Sequence, residues 1–237
     1  MVLSDMSKEQ LIVALDTSSI NEASCIVKCL DGKVTFYKIG LELIMNGGIC
    51  FAKELAASNY NVFLDIKLLD IENTVERAVS NIADTGIRFL SIHGLDTKTV
   101  HAAMRGAVGS KLKILSVTLL TNKTRHDLLE QGFMDKTEQE LVVHRSNIAR
   151  LAGCHGVICS GKEAKAIREA SSSNFIIVTP GIRLIDNKSY DQKRVTTPKQ
   201  ALSDGSNYLV VGRPITHAKD KKAEAEKFLR LIETYQI

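Results

Sequence analysis

Apolar residues along the 237-residue chain follow two alternating rhythms. Short unbroken runs, suited to strands buried on both faces, give way each time to apolar positions three and four apart, the spacing of one helix face. The first run is Leu11–Leu15, ending at Asp16; Ser19 and Glu22 then form a capping box ahead of Ile20, Ala23, Val27 and Leu30. Residues 34–39 read as a second strand with Lys38 near its end, followed by a helix through Ile49, Ala52, Leu55 and Ala56. A third strand runs through Val62, Phe63 and Leu64 into Asp65, and Ile71, Val75, Ala78, Val79 and Ile82 mark its helix. Phe89–Ile92 is the fourth strand, with His93 just after it and a helix through Val100, Ala103, Met104 and Ala107. Residues 112–119 supply the fifth strand, with Thr121 beyond. The longer stretch 124–152 holds two helices, the second capped by Thr137 and Glu140 and packing Leu141, Ile148 and Leu151. Residues 156–159 and 175–178 are the sixth and seventh strands, with a helix over 162–170 between them. After a polar loop, Thr197-Pro198 opens a helix, since Thr suits the N-cap and Pro the first helical position. Tyr208–Val211 is the eighth strand, and a last helix packs Phe228, Leu229 and Ile232.

Eight strand-then-helix units with no linker, low-complexity break or internal repeat imply a parallel sheet in one domain spanning residues 1–237. A doubly wound open sheet is the alternative. Its Gly-rich turn after the first strand is missing, because Leu15-Asp16-Thr17-Ser18 contains no glycine. The expected fold is therefore α/β, a single (β/α)8 TIM barrel.

Composition narrows the class. A net charge of +4, 44% hydrophobic and 24% charged residues are ordinary for a globular protein. The densest basic run, Lys219, Lys221 and Lys222, lacks the interleaved aromatics of a nucleic-acid surface, so no nucleic-acid partner is expected. No apolar stretch is long enough to span a bilayer, and the first ten residues lack the apolar core of a signal peptide. Five cysteines without regular spacing argue against a disulfide framework. Cys25 and Cys29 read as packed thiols of a protein in a reducing cytoplasm.

In such barrels chemistry sits at the C-terminal ends of the strands. Those ends carry Asp16, Lys38, Asp65 with Lys67, His93, Thr121, Arg183, and Gly212 with Arg213. Asp65, Lys67 and Asp70 fall within six residues, and strand alternation would point Asp65 and Lys67 the same way. Taken alone the triplet would also suit a solvated strand end with an incidental ion pair; recurrence of charge around one rim argues otherwise. The loops after strands seven and eight, Pro180-Gly181-Ile182-Arg183 and Gly212-Arg213-Pro214, suit a phosphate group: glycines allow close backbone approach and arginine grips in bidentate fashion. His93 reads as a hydrogen-bonded neighbour of the site rather than a metal ligand, and no motif elsewhere supports a metal.

These segments together resemble the orotidine 5′-monophosphate decarboxylase family. The likeness runs through Ala14–Asp16, Tyr37–Gly40, Asp65–Thr74 (DIKLLDIENT), Val117–Thr121, Thr179–Arg183, Asp191–Pro198 and Val210–Thr216. Glu72 stands where the family's DxKxxDIPNT motif carries proline. The resemblance implies decarboxylation of orotidine 5′-monophosphate to uridine 5′-monophosphate with no metal or cofactor, the last step of de novo pyrimidine synthesis. By it, Lys67 is the proton donor to C6, Asp65 lies beside the substrate carboxylate, and Lys38 and Asp70 complete a charged array. Asp16 and Lys38 contact ribose, Thr121 lies near the base, and Gln192 bridges base and phosphate. Arg183, Gly212 and Arg213 hold the phosphate. Asp70 and Thr74 serve the neighbouring subunit's site, so a homodimer with shared sites is implied. Two other readings stand beside it: a magnesium-dependent sugar-phosphate lyase or aldolase of related architecture, and a non-catalytic phosphate-ligand-binding barrel. A Schiff-base aldolase fits less well, because carboxylates beside Lys67 oppose the neutral amine it needs.

Overall fold

Alternation within each strand decides which side chains fill the molecule's centre and which meet the helices. The computed structural model describes residues 5–184 and 195–235. Eight parallel strands, β1 (Leu11–Leu15), β2 (Phe36–Gly40), β3 (Asn61–Leu68), β4 (Phe89–Ile92), β5 (Lys113–Val117), β6 (Gly156–Ile158), β7 (Ile176–Thr179) and β8 (Tyr208–Val211), close in sequence order into a barrel. Ile12, Ala14, Phe36, Phe63, Phe89, Leu115, Val178 and Val210 point inward and pack on one another. Their neighbours one residue on, such as Val13, Tyr37, Leu64 and Leu90, point outward into the larger core under the helices. The expected (β/α)8 barrel is therefore the observed one.

The helices between strands are α2 (Ile20–Cys29), α4 (Ile49–Ala57), α5 (Glu72–Ala83), α6 (Thr97–Gly106), α7 (Arg125–Glu130) with α8 (Glu138–Leu151), α9 (Gly161–Glu169) and α10 (Pro198–Ser203), with α12 (Lys221–Tyr235) closing the chain. Three short helices escape a reading of periodicity because they have too few turns to show one: α1 (Asp5–Gln10), α3 (Leu41–Leu43) and α11 (Arg213–Thr216). Between α3 and α4 the chain kinks through Asn46 and Gly47, where Gly47 takes φ +88°. Ser19, Thr137 and Thr197 each accept the backbone N–H three residues on; the expected reciprocal box is formed by Thr137 with Glu140, while at Ser19 the side-chain acceptor half is the one observed.

Several packing expectations are corrected. Ile71 precedes α5 and is exposed, and Ile49 at the start of α4 is exposed as well. Cys25 and Cys29 are exposed, because the buried face of α2 is set by Ala23, Ile26 and Val27. Leu151, the last residue of α8, is also exposed, since that helix turns Leu141, Val142, Ser146 and Ala149 toward the core.

The two barrel ends differ in chemistry. At the N-terminal end, the Arg88 guanidinium lies 5.5 to 5.7 Å from the ring centroids of Phe36, Phe89 and Tyr208, and pairs with Glu9 at 2.9 Å. An arginine stacked over three rings closes that end with apolar surface and leaves its charge satisfied. Among the described residues, the opposite end holds a pocket.

Candidate active site

Inward-facing rows continue past the apolar layer and change character there. Ile12 and Ala14 lead to Asp16, Phe36 to Lys38 and Gly40, Phe63 to Asp65, and Phe89 to Ser91. The pairing of Lys38 with Phe63 and of Gly40 with Asp65 sets these ends side by side. The result is a pocket of about 300 Å³ lined by the charged residues above, by apolar Phe63, Val117, Leu119, Ile158 and Val210, and by Thr121, Arg183, Gly212 and Arg213.

Its floor is a row of alternating charges. Lys38 Nζ donates to Asp16 Oδ1 at 2.8 Å and stands 3.4 Å from Asp65 Oδ2; Lys67 Nζ donates to Asp65 Oδ1 at 2.9 Å. Lys38 and Asp65 are each only 8% exposed. Burial opposes the charged form of both, and pairing outweighs it in both. Asp16 and Asp65 hold the Lys38 pKa above the usual lysine range. Lys38, Lys67 and the Ser91 hydroxyl hold Asp65 below the usual carboxylate range. Lys67 and Asp16 sit at the more exposed ends of the row.

Lys67 reaches this position by an irregular route. Strand alternation alone would place it with Asp65, but β3 breaks register between Leu64, paired with Leu90, and Leu68, paired with Ile92. Lys67 takes φ +53° inside that break. The shared face is thus made by a bulge rather than by a regular strand.

Around the rim, Arg183 is buried and donates through Nη1 to the Ile182 carbonyl at 2.8 Å. A bridge between Ile182 and Thr196 pins this segment: the Arg183 N–H donates to the Thr196 carbonyl and the Thr196 N–H to that of Gly181. Gln192 lies outside the described residues. His93 is half-buried. Burial first, then the charges of Lys67 and Arg145, push its pKa down, which favours the neutral ring. Among the described residues no three of His, Cys, Asp and Glu gather as a metal-binding set.

Asp70 and Thr74 do not join the pocket of their own chain. Both are exposed, and the Asp70 carboxylate accepts the N–H of Ile71 at 2.6 Å. Glu72 begins α5, where its charge suits the helix N-terminus, and Arg105 of α6 pairs with it at 3.8 Å and with Glu76 at 2.7 Å.

Sequence reading gave no role to two residues that shape the row. Ser91 is fully buried beneath Asp65, and Gly40 lies against both Asp16 and Lys38. Ser91 could have been found by counting two residues on from Phe89.

A barrel with a buried cation–carboxylate row, an apolar wall and two arginines at the last two loops defines a site for a small anionic, part-apolar ligand. Comparisons with known proteins narrow the class. The model of the orotidine 5′-phosphate decarboxylase / HUMPS family matches residues 9–228. An orotidine 5′-phosphate decarboxylase of Bradyrhizobium sp. (strain ORS 278) is 45% identical over 226 residues, covering 95% of this chain and 92% of the relative. The crystal structure of an orotidine 5′-phosphate decarboxylase from Lactobacillus acidophilus superimposes with a TM-score of 0.83 at 35% identity, covering 94% of this chain and 98% of that one. An uncharacterized conserved protein from Geobacillus kaustophilus gives 0.81 at 30% identity, with 94% and 99% covered. The chain belongs to the orotidine 5′-phosphate decarboxylase / HUMPS family.

Proposed function

We propose that the protein decarboxylates orotidine 5′-monophosphate to uridine 5′-monophosphate, the closing step of de novo pyrimidine synthesis, with neither metal nor organic cofactor. The observation that carries the reading is the Asp16–Lys38–Asp65–Lys67 row, whose last cation is positioned at 2.9 Å by a buried carboxylate on the pocket floor.

Loss of carbon dioxide from C6 of the pyrimidine leaves an electron pair in a ring orbital that the neighbouring carbonyls cannot delocalise. Without an electron sink, the protein has to meet that charge with a cation already in place. Lys67 is that cation, and it delivers its proton to C6 as the charge develops. Asp65 fixes Lys67 and lies beside the substrate carboxylate, favouring its departure as neutral carbon dioxide. Lys38 neutralises the other side of Asp65 and, with Asp16, takes the ribose hydroxyls. Thr121 lies near the base, and Arg183, Gly212 and Arg213 bind the phosphate. Gln192 is assigned to link base and phosphate. Binding energy from the phosphate is thereby used at the ring, some distance away. Asp70 and Thr74, outside their own pocket, complete the site of a second copy in a homodimer. Exposed Leu41, Leu69 and Ile71 near the mouth suit that contact. No helix among the described residues is long and apolar enough to cross a membrane, in keeping with work in the cytoplasm.

The test is an ultraviolet assay of orotidine 5′-monophosphate loss by purified protein. Turnover should persist in EDTA, and Lys67→Ala should abolish it while leaving binding of uridine 5′-monophosphate largely intact. The variant should fold, because Asp65 keeps Lys38 as its counter-charge. Near-normal turnover without Lys67 would remove it as the proton donor. Activity lost with EDTA and restored by magnesium would favour the metal-dependent lyase.

A further inference from the structure

Between the paired positions Leu64–Leu90 and Leu68–Ile92, β3 carries Asp65, Ile66 and Lys67, whereas β4 carries Ser91 alone. Two extra residues must therefore be accommodated where one side chain faces them. A bulge of this kind takes backbone groups out of the ladder and leaves them needing other partners. Lys67 also adopts φ +53°, a left-handed conformation that a long L side chain takes only when its surroundings enforce it.

One hydroxyl meets both demands. The Lys67 N–H donates to Ser91 Oγ at 2.9 Å, and Ser91 Oγ donates to Asp65 Oδ1 at 2.8 Å. That same carboxylate oxygen receives Lys67 Nζ at 2.9 Å. Ser91 Oγ, Asp65 Oδ1 and Lys67 thus form a closed ring of three hydrogen bonds that ties the backbone of Lys67 to the carboxylate its own ammonium contacts. Ser91 is fully buried, so no solvent competes for its hydroxyl.

We propose that Ser91 is a positioning residue of the site, the clamp that holds the β3 bulge in its left-handed form and so sets the Lys67 ammonium on Asp65. The proposal rests on the decarboxylase reading for its kinetic consequences but not for its structural ones. An alanine at 91 would keep the Cβ but remove the hydroxyl, leaving both the Lys67 amide and one lobe of Asp65 without their shared partner. Lys67 would then wander relative to the reacting carbon, and misplacement of about an ångström costs on the order of 10–100-fold in rate.

The groups facing Asp65 are Lys38 from β2, with Asp16 just past β1 behind it, Lys67 from its own strand, Ser91 from β4, and the half-buried His93 just past β4. Ser91 donates to the charged carboxylate, so its loss favours the protonated form and should move the acidic limb of the kcat profile to higher pH.

Ser91→Ala and Ser91→Cys should be compared with the parent protein. For Ser91→Ala we expect kcat to fall on the order of 10–100-fold. KM and the affinity for uridine 5′-monophosphate should stay within about threefold, since Ser91 does not line the pocket. The acidic limb should shift upward. Ser91→Cys, a weaker donor and acceptor in the same place, should fall between the two and carries the same readouts should the alanine variant fold poorly. A kcat within about twofold of the parent with an unmoved pH profile would reduce Ser91 to packing and overturn the proposal. If the parent itself failed to decarboxylate, the functional reading would fall while Ser91 could still be judged. Titration of the Asp65 carboxyl by 13C chemical shift needs no turnover, should move upward in Ser91→Ala, and refutes the clamp if it does not.

Discussion

At residue 40 the space left between Asp16 and Lys38 sets the residue type. A Cβ there would lie 2.5 Å from Asp16 Oδ1 and 3.0 Å from Lys38 Nζ, both well inside contact distance. The backbone φ of −98° is ordinary, so the demand is for room and not for conformation. Gly40→Ala should push the half-exposed Asp16 carboxylate aside, because Lys38 is held from its other side by Asp65. The expected outcome is a fall in kcat/KM of about tenfold or more with a melting temperature close to the parent's, since the displaced group can turn to water. An unchanged kcat/KM would show that Asp16 need not sit where the structure has it. The charged members of the site were legible in the sequence because charge at the end of an apolar run is conspicuous. Gly40 and Ser91 were not, because a missing methyl or a small hydroxyl acquires meaning only from what stands opposite it in space.

At the scale of elements, the strands were the most legible part, since parallel strands buried on both faces must be written as apolar runs. All eight lie where those runs predicted, with ends displaced by one to three residues; β2 begins at Phe36 rather than Val34, and β3 runs on past Asp65 to Leu68. The bulge in β3 was invisible, because register is a relation between two strands and no single run records it. One inter-strand link makes a prediction of its own. His155, just before β6, accepts the Ile114 N–H of β5 through Nδ1 at 3.1 Å, which requires a neutral ring. Burial first, then the charge of Lys113, push its pKa from 6.5 down to about 4. The unfolded chain therefore takes up the proton first. This contribution is complete above the ordinary histidine value and is lost as pH falls from about 6.5 to about 4. Denaturant unfolding of the parent should lose on the order of 1–2 kcal/mol more across that window than His155→Asn, after allowance for solvent screening. Parallel curves for the two proteins would show that His155 titrates normally in the fold.

For the whole molecule, the proposal that Asp70 and Thr74 act in a second copy's site makes the oligomer part of the function under test. The floor is charge-balanced within the chain, with Asp16 and Asp65 against Lys38 and Lys67. A further carboxylate brought against Lys67 from a second copy would add a constraint on that ammonium which its own chain does not provide. Asp70 and Thr74 stand exposed on the rim beside apolar Leu69 and Ile71, the arrangement a two-fold contact near the pocket mouth would bury. Complementation separates a shared site from a private one. Lys67→Ala and Asp70→Ala homodimers should each be nearly inactive, because every site in them lacks one of the two groups. In a mixed dimer, one site collects both substitutions and the other neither. Random mixing of the two variants should therefore restore about a quarter of parental activity. If Asp70 served its own chain's Lys67, every mixed dimer would carry one defect per site and mixing would restore nothing. Recovery on mixing thus supports the dimer and the assignment of Asp70 in one measurement, and a flat response would overturn the sharing of Asp70 between chains.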